Sequence, residues 1–288
     1  MKKILIPTDF SENAYGAMCY AAQLYAETEC TFFLLHSYTP AIYQSEYLLH
    51  SPGQIGLGDI YRIDSEDNLK LFREKIVSAF RNPKHRFEIH SAFSVLTEAI
   101  DDMVEEEKID LIIMGTQGAT GAKEIFLGSN TVHAIKRAKC PVLVIPFPFG
   151  FKTPHKILFP TDYGLDYNRD HLKELLLIAD LQMATIEVMH ISQNYDSDPE
   201  EKVNKNKLKQ LLSGRTHHFH EMPDQEILEA INDFQVNNDI NFLAMIRNKH
   251  SFWENLFSKP VIDQIGFHTQ IPFLVVPPAS SDADPDRT

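Results

Sequence analysis

The chain has 288 residues, of which 43% are hydrophobic and 23% are charged, and its formal net charge is −13. This length and composition predict a globular protein of about two domains, and the acidic balance argues against a nucleic-acid-binding surface. The three cysteines have no paired or metal-ligand spacing, which favours the reducing cytoplasm. The apolar runs are too short for a signal peptide or a membrane span.

The first half of the chain alternates short apolar runs with helical patterns. The predicted strands are KILIPT (3–8), TFFLLHSY (31–38), RFEIHSA (86–92), DLIIMGT (110–116) and PVLVIPF (141–147). Ser11 is the predicted N-cap of the first helix, and residues 94–108 have apolar side chains three and four apart. The alternation predicts a Rossmann-like α/β fold, a five-stranded, mainly parallel sheet with helices on both faces.

The second half of the chain repeats the first. KKILIPTDFSENA (2–14) matches HKILFPTDYGLDY (155–167), so Asp162 follows Asp9 by 153 positions. His190 corresponds to His36 at an offset of 154, whereas the last strands, CPVLVIP and IPFLVVP, correspond at an offset of 131. The second half therefore lacks 23 residues (154 − 131). A repeat this long indicates a duplicated domain, because solenoid units are only about 20–50 residues long.

The repeat divides the chain into two domains. We expect the first at residues 1–148, the second at 154–278, and a disordered acidic tail at 279–288. The extra piece of the first half lies around residues 39–64, which contain three tyrosines and three glycines. A lid over a ligand, a partner interface and a plain loop are all compatible with this composition.

A glycine-rich segment, GTQGATGAKEIFLGSN, follows the fourth predicted strand. Gly115, Gly118, Gly128 and Ser129 form the pattern G-x2-G-x9-G-S and lead into the helical segment NTVHAIKRA. Glycine lets a phosphate approach backbone N–H groups, and a helix N-terminus offers free donors and a positive dipole end. The pattern is neither a Walker A loop nor a Rossmann dinucleotide motif. A turn that merely caps a helix is the alternative interpretation.

These motifs resemble those of the universal stress protein family, over essentially residues 2–278. The specific likenesses are PTDFS after the first strand, the glycine-rich segment, and CPVLVIP in the last strand. The resemblance implies the five-stranded parallel sheet of the adenine nucleotide α-hydrolase-like group. It also implies ATP as the ligand, accompanied by Mg²⁺ or Mn²⁺, and pairing of domains through their last strands. A tandem chain would then be an intramolecular pseudo-dimer, and a homodimer of chains stays open.

The resemblance also implies which residues contact ATP. They are Pro7, Thr8 and Asp9 for the adenosine, Ser37 for the adenine through its backbone, Met114 and Gly115 for the ribose and base, and Gly118, Gly128, Ser129, Asn130 and Thr131 for the phosphates. The carboxylate of Asp9 has a second interpretation, because an aspartate at this place can cap the helix that begins near Ser11.

The second half lacks the glycine pattern. The offset of 131 places Ile246, Lys249, Lys259 and Pro260 where the first half has Gly115, Gly118, Gly128 and Ser129. A β-branched side chain and a proline obstruct backbone contacts to a phosphate. The two lysines, with Arg247 and His250, could still attract a phosphate as point charges. The simpler expectation is one nucleotide site per chain, with the second domain as a structural partner, and we interpret the glycines as serving a ligand rather than the fold.

Three close histidines suggest a metal site at first sight. The offset of 131 aligns RTHHFHE (215–221) with the third strand, where only His218 and His220 share a face. No cysteine or distant carboxylate completes a ligand set in the sequence, so we expect exposed strand residues and no metal site.

No catalytic set is recognisable, neither a G-x-S-x-G motif nor a Ser/His/Asp arrangement. His36 and His190 recur at the end of the second strand, which indicates a shared structural role.

Three functions remain open. The first is an ATP-binding stress-response or regulatory protein of the cytoplasm, the second a weak ATPase or other ATP-using enzyme, and the third a nucleotide-free dimerisation scaffold.

Overall fold

The computed structural model describes residues 1–39, 57–116, 128–148, 150–191, 199–222, 227–247 and 271–278. The chain divides into two compact units, with the first ending at Gly150 and the second continuing from Phe151. No helix among the described residues has the length and hydropathy needed to cross a membrane. The predicted limits of the domains and of the acidic tail, which lies outside the described residues, stay predictions.

The first unit alternates strands and helices, as predicted. Its elements are β1 (Lys2–Pro7), α1 (Glu12–Leu24), β2 (Cys30–Ser37), α2 (Leu57–Ala79), β3 (His85–Ala92), α3 (Leu96–Glu107), β4 (Leu111–Gly115), α4 (Ser129–Arg137) and β5 (Val142–Ile145). The strand order is β3-β2-β1-β4-β5 and the pairs are parallel. The order reverses between β1 and β4, so the switch point where such sheets bind ligands lies there.

The core of the first unit lies between the sheet and its helices. The central strands are almost wholly apolar and inaccessible, as strands covered on both faces must be. Right-handed crossovers place α1 and α2 on one face and α3 and α4 on the other. Tyr15 of α1 contacts Phe72 of α2 with ring centroids 6.0 Å apart. The predicted N-cap is confirmed, because the Ser11 hydroxyl accepts a hydrogen bond from the Ala14 N–H.

The second unit has the same architecture. Its described elements are β6 (Lys156–Thr161), α5 (Arg169–Gln182), β7 (Thr185–Ile191), α6 (Pro199–Leu211), β8 (His217–Met222), α7 (Ile227–Asn237), β9 (Phe242–Ile246) and β10 (Phe273–Val276). Strands β8, β7, β6, β9 and β10 are adjacent in that order. The predicted fold class, an α/β fold with a mainly parallel sheet, is confirmed.

Part of the extra segment of the first half is helical. α2 has 23 residues and α6 has 13, a difference of 10. Residues 57–64, which belong to the segment read as a possible loop, form the first two turns of α2. Ile60 to Asp64 are all exposed, and burial begins at Ser65. A plain loop is therefore the wrong interpretation for 57–64, whereas 40–56 lie outside the described residues.

The strand pairing corrects the alignment of the third strands by one residue. Phe33 of β2 faces Glu88, and its counterpart Glu187 faces His218. The offset between β3 and β8 is therefore 130 (218 − 88) rather than 131. His218 and His220 still share a face, because a shift of the whole strand does not change the alternation.

Candidate functional site

The carboxyl ends of β1, β2 and β4 and the N-termini of α1 and α4 meet at one edge of the first unit. Pro7 pairs with Leu35, so β2 runs two residues further, to Ser37. Gly115 ends β4 opposite Ile145. The described residues of the predicted ATP site all lie along this edge, namely Pro7, Thr8, Asp9, Ser37, Met114, Gly115, Gly128, Ser129, Asn130 and Thr131. Gly118 lies outside the described residues.

A tight turn follows β1. The Thr8 hydroxyl oxygen accepts a hydrogen bond from the Phe10 N–H at 3.0 Å, and Phe10 has a left-handed backbone with φ of 63°. One carboxylate oxygen of Asp9 accepts hydrogen bonds from the Ser11 N–H at 3.1 Å and the Ser11 hydroxyl at 2.5 Å. The exposed Asp9 carboxylate therefore supports the start of α1.

The second unit repeats this turn. Thr161 accepts from the Tyr163 N–H at 3.0 Å, Asp162 accepts from the Gly164 N–H at 2.9 Å, and Tyr163 has φ of 55°. The same geometry occurs where the glycine pattern is missing, so the fold sets the position of the aspartate in both units. Contact between Asp9 and a nucleotide stays a prediction.

Gly115 lies against a side chain of α1. A Cβ atom at Gly115 would come within 2.3 Å of the Asn13 Oδ1 atom, and Asn13 is only 7% exposed. No side chain fits there unless Asn13 or the strand moves. Packing against α1 is therefore a second reason for glycine at position 115, beside the approach of a ligand. The sequence did not indicate Asn13 as a neighbour of this glycine.

The start of α4 is tied to the end of β4. The Gly128 N–H donates to the Thr116 carbonyl oxygen at 2.6 Å, and the Thr131 hydroxyl donates to the Gly115 carbonyl oxygen at 2.9 Å. Gly128 is the N-cap and provides no side-chain cap, while Ser129 and Asn130 are exposed. An uncapped first turn offers backbone N–H donors to an anion. Because the Thr131 hydroxyl already donates to the Gly115 carbonyl oxygen, the predicted phosphate contact of Thr131 would use its backbone N–H.

The link between Thr131 and Gly115 can be tested by substitution. We expect Thr131→Val to destabilise the protein by about 1–3 kcal/mol, since Thr131 is buried and the Gly115 carbonyl oxygen loses its donor. Urea unfolding followed by circular dichroism measures the loss. Thr131→Ser keeps the hydroxyl and is the matched control. Equal stabilities of the valine and serine variants would show that the hydrogen bond contributes nothing.

The histidines that recur at the end of the second strand differ in their partners. Phe10 contacts His36 and Tyr163 contacts His190, each with ring centroids 4.5 Å apart. The His36 Nδ1 donates to the Thr8 carbonyl oxygen at 2.9 Å, whereas the His190 Nδ1 lies 2.6 Å from a Glu221 carboxylate oxygen. The predicted shared role is correct for the ring packing and wrong for the hydrogen bond.

The corresponding edge of the second unit has a different arrangement. The connection from Asp162 to the first helical residue, Arg169, is four residues longer than that from Asp9 to Glu12. It contains Tyr167, whose buried hydroxyl is hydrogen-bonded to the Thr161 hydroxyl. Ile246 ends β9, as the alignment predicts for the counterpart of Gly115. Lys249, Lys259 and Pro260 lie outside the described residues.

The histidines of β8 have a carboxylate partner that the sequence did not reveal. Glu187 of β7 is 5% exposed, and its carboxylate accepts from His220 Nε2 at 2.7 Å and from His218 Nδ1 at 3.2 Å. The sequence did not indicate that a carboxylate lies beside these histidines, and this hydrogen bonding is what the structure adds. Burial alone would raise the pKa of Glu187, but hydrogen bonds from His220 and His218 outweigh burial and hold the pKa below its ordinary value. Over the described part of the chain, no group of three His, Cys, Asp or Glu side chains could hold a metal ion.

Comparisons with known proteins identify relatives of both halves. The family model described as the universal stress protein family matches residues 1–146. A universal stress protein of Methanocaldococcus jannaschii is 34% identical over 154 residues, which are 50% of this chain and 94% of that protein. One of Synechocystis is 26% identical over 295 residues, covering 95% of this chain and 99% of that protein.

A solved structure that spans nearly the whole chain agrees with the fold. A universal stress protein from Archaeoglobus fulgidus covers 97% of each chain with a TM-score of 0.68 and 16% identity, a likeness of fold. Another universal stress protein, solved in complex with cAMP, matches 50% of this chain and 96% of its own with a TM-score of 0.37 and 20% identity. From the family model and the relative in Methanocaldococcus, this chain belongs to the universal stress protein family.

Proposed function

We propose that the chain is a cytoplasmic ATP-binding regulatory protein with one nucleotide site, in its first unit. The triphosphate lies at the start of α4 and the nucleoside over the ends of β1 and β2. The second unit binds no nucleotide and serves as a structural partner. Pairing of the two units as a pseudo-dimer, and of chains as a homodimer, stays a prediction.

The observation that carries this proposal is the junction between β4 and α4. Gly128 is the N-cap of α4 and has no side chain to cap the first turn. Two hydrogen bonds, from Thr131 to the carbonyl oxygen of Gly115 and from Gly128 to that of Thr116, hold this turn at the edge of the sheet. Such a turn presents N–H donors and the positive end of the helix dipole to an anion. The switch point between β1 and β4 lies at the same edge, and open α/β sheets typically bind ligands at such a point.

The counterpart in the second unit supports one site per chain. Ile246 brings a β-branched side chain to the end of β9, where β4 ends in Gly115. The sequence places Pro260 where the first turn of α4 has Ser129, and proline has no N–H to donate.

A divalent cation is expected to accompany the ATP phosphates. The described side chains contain no cluster of three metal-binding groups. Mg²⁺ typically keeps several water ligands and binds through substrate phosphates rather than in an all-protein cage. Mg²⁺ or Mn²⁺ would thus be bound chiefly by the phosphates of ATP, whose charge it neutralises.

The direct test is to extract and identify the nucleotide that the purified protein retains, and then to add ATP and Mg²⁺. We expect retained ATP that is not consumed. Steady release of ADP would instead support an ATP-using enzyme. Absence of binding at millimolar ATP would leave the nucleotide-free scaffold.

A substitution copied from the second unit tests the placement of the phosphates. Gly118→Lys gives the first unit the residue found at position 249, and we expect it to abolish ATP binding in titration calorimetry. Ser78→Lys adds the same charge to an exposed position of α2 and is the control for net charge. Undiminished binding by Gly118→Lys would show that the phosphates lie elsewhere.

A further inference from the structure

Three aromatic residues lie near the carboxyl ends of β2 and β3 in the first unit. They are Tyr38, directly after β2, Tyr61 in the exposed start of α2, and Phe93, directly after β3, and we call them the aromatic rim. Phe93 is 54% exposed and Tyr61 is 39% exposed. Adjoining exposed aromatic side chains can mark a binding site, whereas apolar residues exposed singly on a surface are common and need no explanation.

Hydrogen bonds between the strands fix two members of the rim side by side. The Tyr38 N–H donates to the Ala92 carbonyl oxygen at 2.9 Å, which continues the pairing of β2 with β3 beyond the last residue of β2. The ring centroids of Tyr38 and Phe93 are 5.6 Å apart. Tyr38 also lies 6.5 Å from the ring of His36, at an interplanar angle of 19°. The strand ends thus present adjoining aromatic rings.

The third member reaches the same level from α2. The Ser91 hydroxyl donates to the Ser65 hydroxyl at 2.7 Å, so these two residues lie side by side. Tyr61 lies four residues before Ser65, on the same helix face and about 6 Å further toward the edge. Phe93 lies two residues after Ser91, about 6.6 Å further in the same direction. Tyr61 therefore stands level with Phe93.

The rim lies next to the strand ends over which the nucleoside is proposed to lie. The strands β4, β1, β2 and β3 are adjacent in that order, and neighbouring strands are about 4.8 Å apart. The end of β2 is therefore about 10 Å, and the end of β3 about 14 Å, from the end of β4. The nucleoside proposed above, over the ends of β1 and β2, would extend in this direction from the start of α4.

The second unit provides an internal comparison. The strand pairing makes Ile191 the counterpart of Ser37 and Met222 the counterpart of Ala92. The next residues in the sequence are Ser192 and Pro223, where the first unit has Tyr38 and Phe93. Tyr38, Phe93 and the glycine pattern therefore occur together in the first unit, and the second unit has none of them at the corresponding positions.

We propose that the aromatic rim stacks on the base of the nucleotide and makes this site selective for nucleotides over other polyphosphates. This inference rests on the ATP site proposed above and adds the residues that recognise the base. Stacking of a base on an aromatic side chain contributes enough to change affinity about tenfold or more. The phosphates alone would give no preference for a base.

The test compares ATP with inorganic tripolyphosphate in titration calorimetry. We expect Phe93→Ala to weaken ATP binding about tenfold and to leave the affinity for tripolyphosphate unchanged. Phe93→Trp keeps an aromatic face and should retain ATP binding. Val95→Ala truncates another exposed apolar residue of the same connection and is the matched control.

The outcomes separate this inference from the proposed function. If the wild type binds no ATP, both proposals fail. If the wild type binds ATP and Phe93→Ala binds it within twofold of the wild type, the rim does not contact the base. If Phe93→Ala weakens tripolyphosphate binding as much as ATP binding, Phe93 acts on the phosphate site or the fold, and base stacking is overturned.

Discussion

Replacing Gly115 by alanine is expected to destabilise the first unit by about 1–3 kcal/mol, the usual cost of overpacking a filled site. We expect it also to weaken ATP binding at least tenfold, roughly 1.4 kcal/mol. The added Cβ would lie 2.3 Å from the Asn13 Oδ1 atom, so either Asn13 or the end of β4 must move. The Thr131 hydroxyl donates a hydrogen bond to the Gly115 carbonyl oxygen. Movement of Gly115 would therefore displace Thr131 and the first turn of α4. Urea unfolding and calorimetric titration measure the two effects.

A second substitution separates packing from ligand approach at Gly115. In the background of Asn13→Ala the side chain that meets the new Cβ is shortened, so Gly115→Ala should cost less stability than in the wild type. Gly16→Ala in α1 is the matched control, because a Cβ there meets nothing within 4 Å. Equal costs of Gly115→Ala in both backgrounds would contradict the packing explanation. ATP binding that stays weak after stability is recovered would indicate that the ligand itself approaches the glycine.

The strands and the duplication could be predicted from the sequence because short stretches of residues reveal them. Short apolar runs of branched residues predict buried parallel strands, and the repeat of KIL-PTD aligned the two units at their first strands. Ser11 was recognisable as an N-cap from its place before the helix. Each strand and the N-cap depend on residues close together in the chain, and the duplication is found by comparing two such short segments.

Features that depend on contacts between residues far apart in the chain could not be predicted from the sequence. Asn13 and Gly115 are about a hundred positions apart, and nothing in either segment indicates that they meet. The pairing of Glu187 with His218 depends on the register of β7 and β8. The sequence alignment of the third strands was one residue away from the observed register. The helical start of α2 was not predicted because glycines occur at positions 56 and 58, and glycine is more typical of turns than of helices.

The buried carboxylate of Glu187 leads to the second large prediction. We expect Glu187→Gln to lower the free energy of unfolding of the second unit by about 1.5–3 kcal/mol at pH 7, the range for hydrogen bonds to charged groups. Glu187 is 5% exposed, and a carboxylate only accepts hydrogen bonds, so the nitrogens of His218 and His220 that face it carry the hydrogens. Glutamine has a similar shape but no charge, and its amide N–H₂ group cannot accept from them.

This loss should depend on pH in a defined direction. The two histidines hold the pKa of Glu187 below its ordinary value despite the opposing effect of burial. The contribution of the carboxylate to stability is therefore complete above the unfolded pKa of about 4.3 and disappears as the pH falls through the lower folded pKa. Wild type and Glu187→Gln should differ most near neutral pH and converge in acid. Urea unfolding at a series of pH values measures this difference.

A control from the first unit isolates the effect of burial. Glu88 occupies the position on β3 that corresponds to His218, and it is exposed. Glu88→Gln removes one carboxylate without removing a buried acceptor, so its effect on stability should be small at every pH. A difference between wild type and Glu187→Gln that is the same at neutral and acidic pH would show that the side chain acts through shape alone. If the difference disappears only in acid, the charge of Glu187 holds the edge strand β8 to β7 through its two histidines.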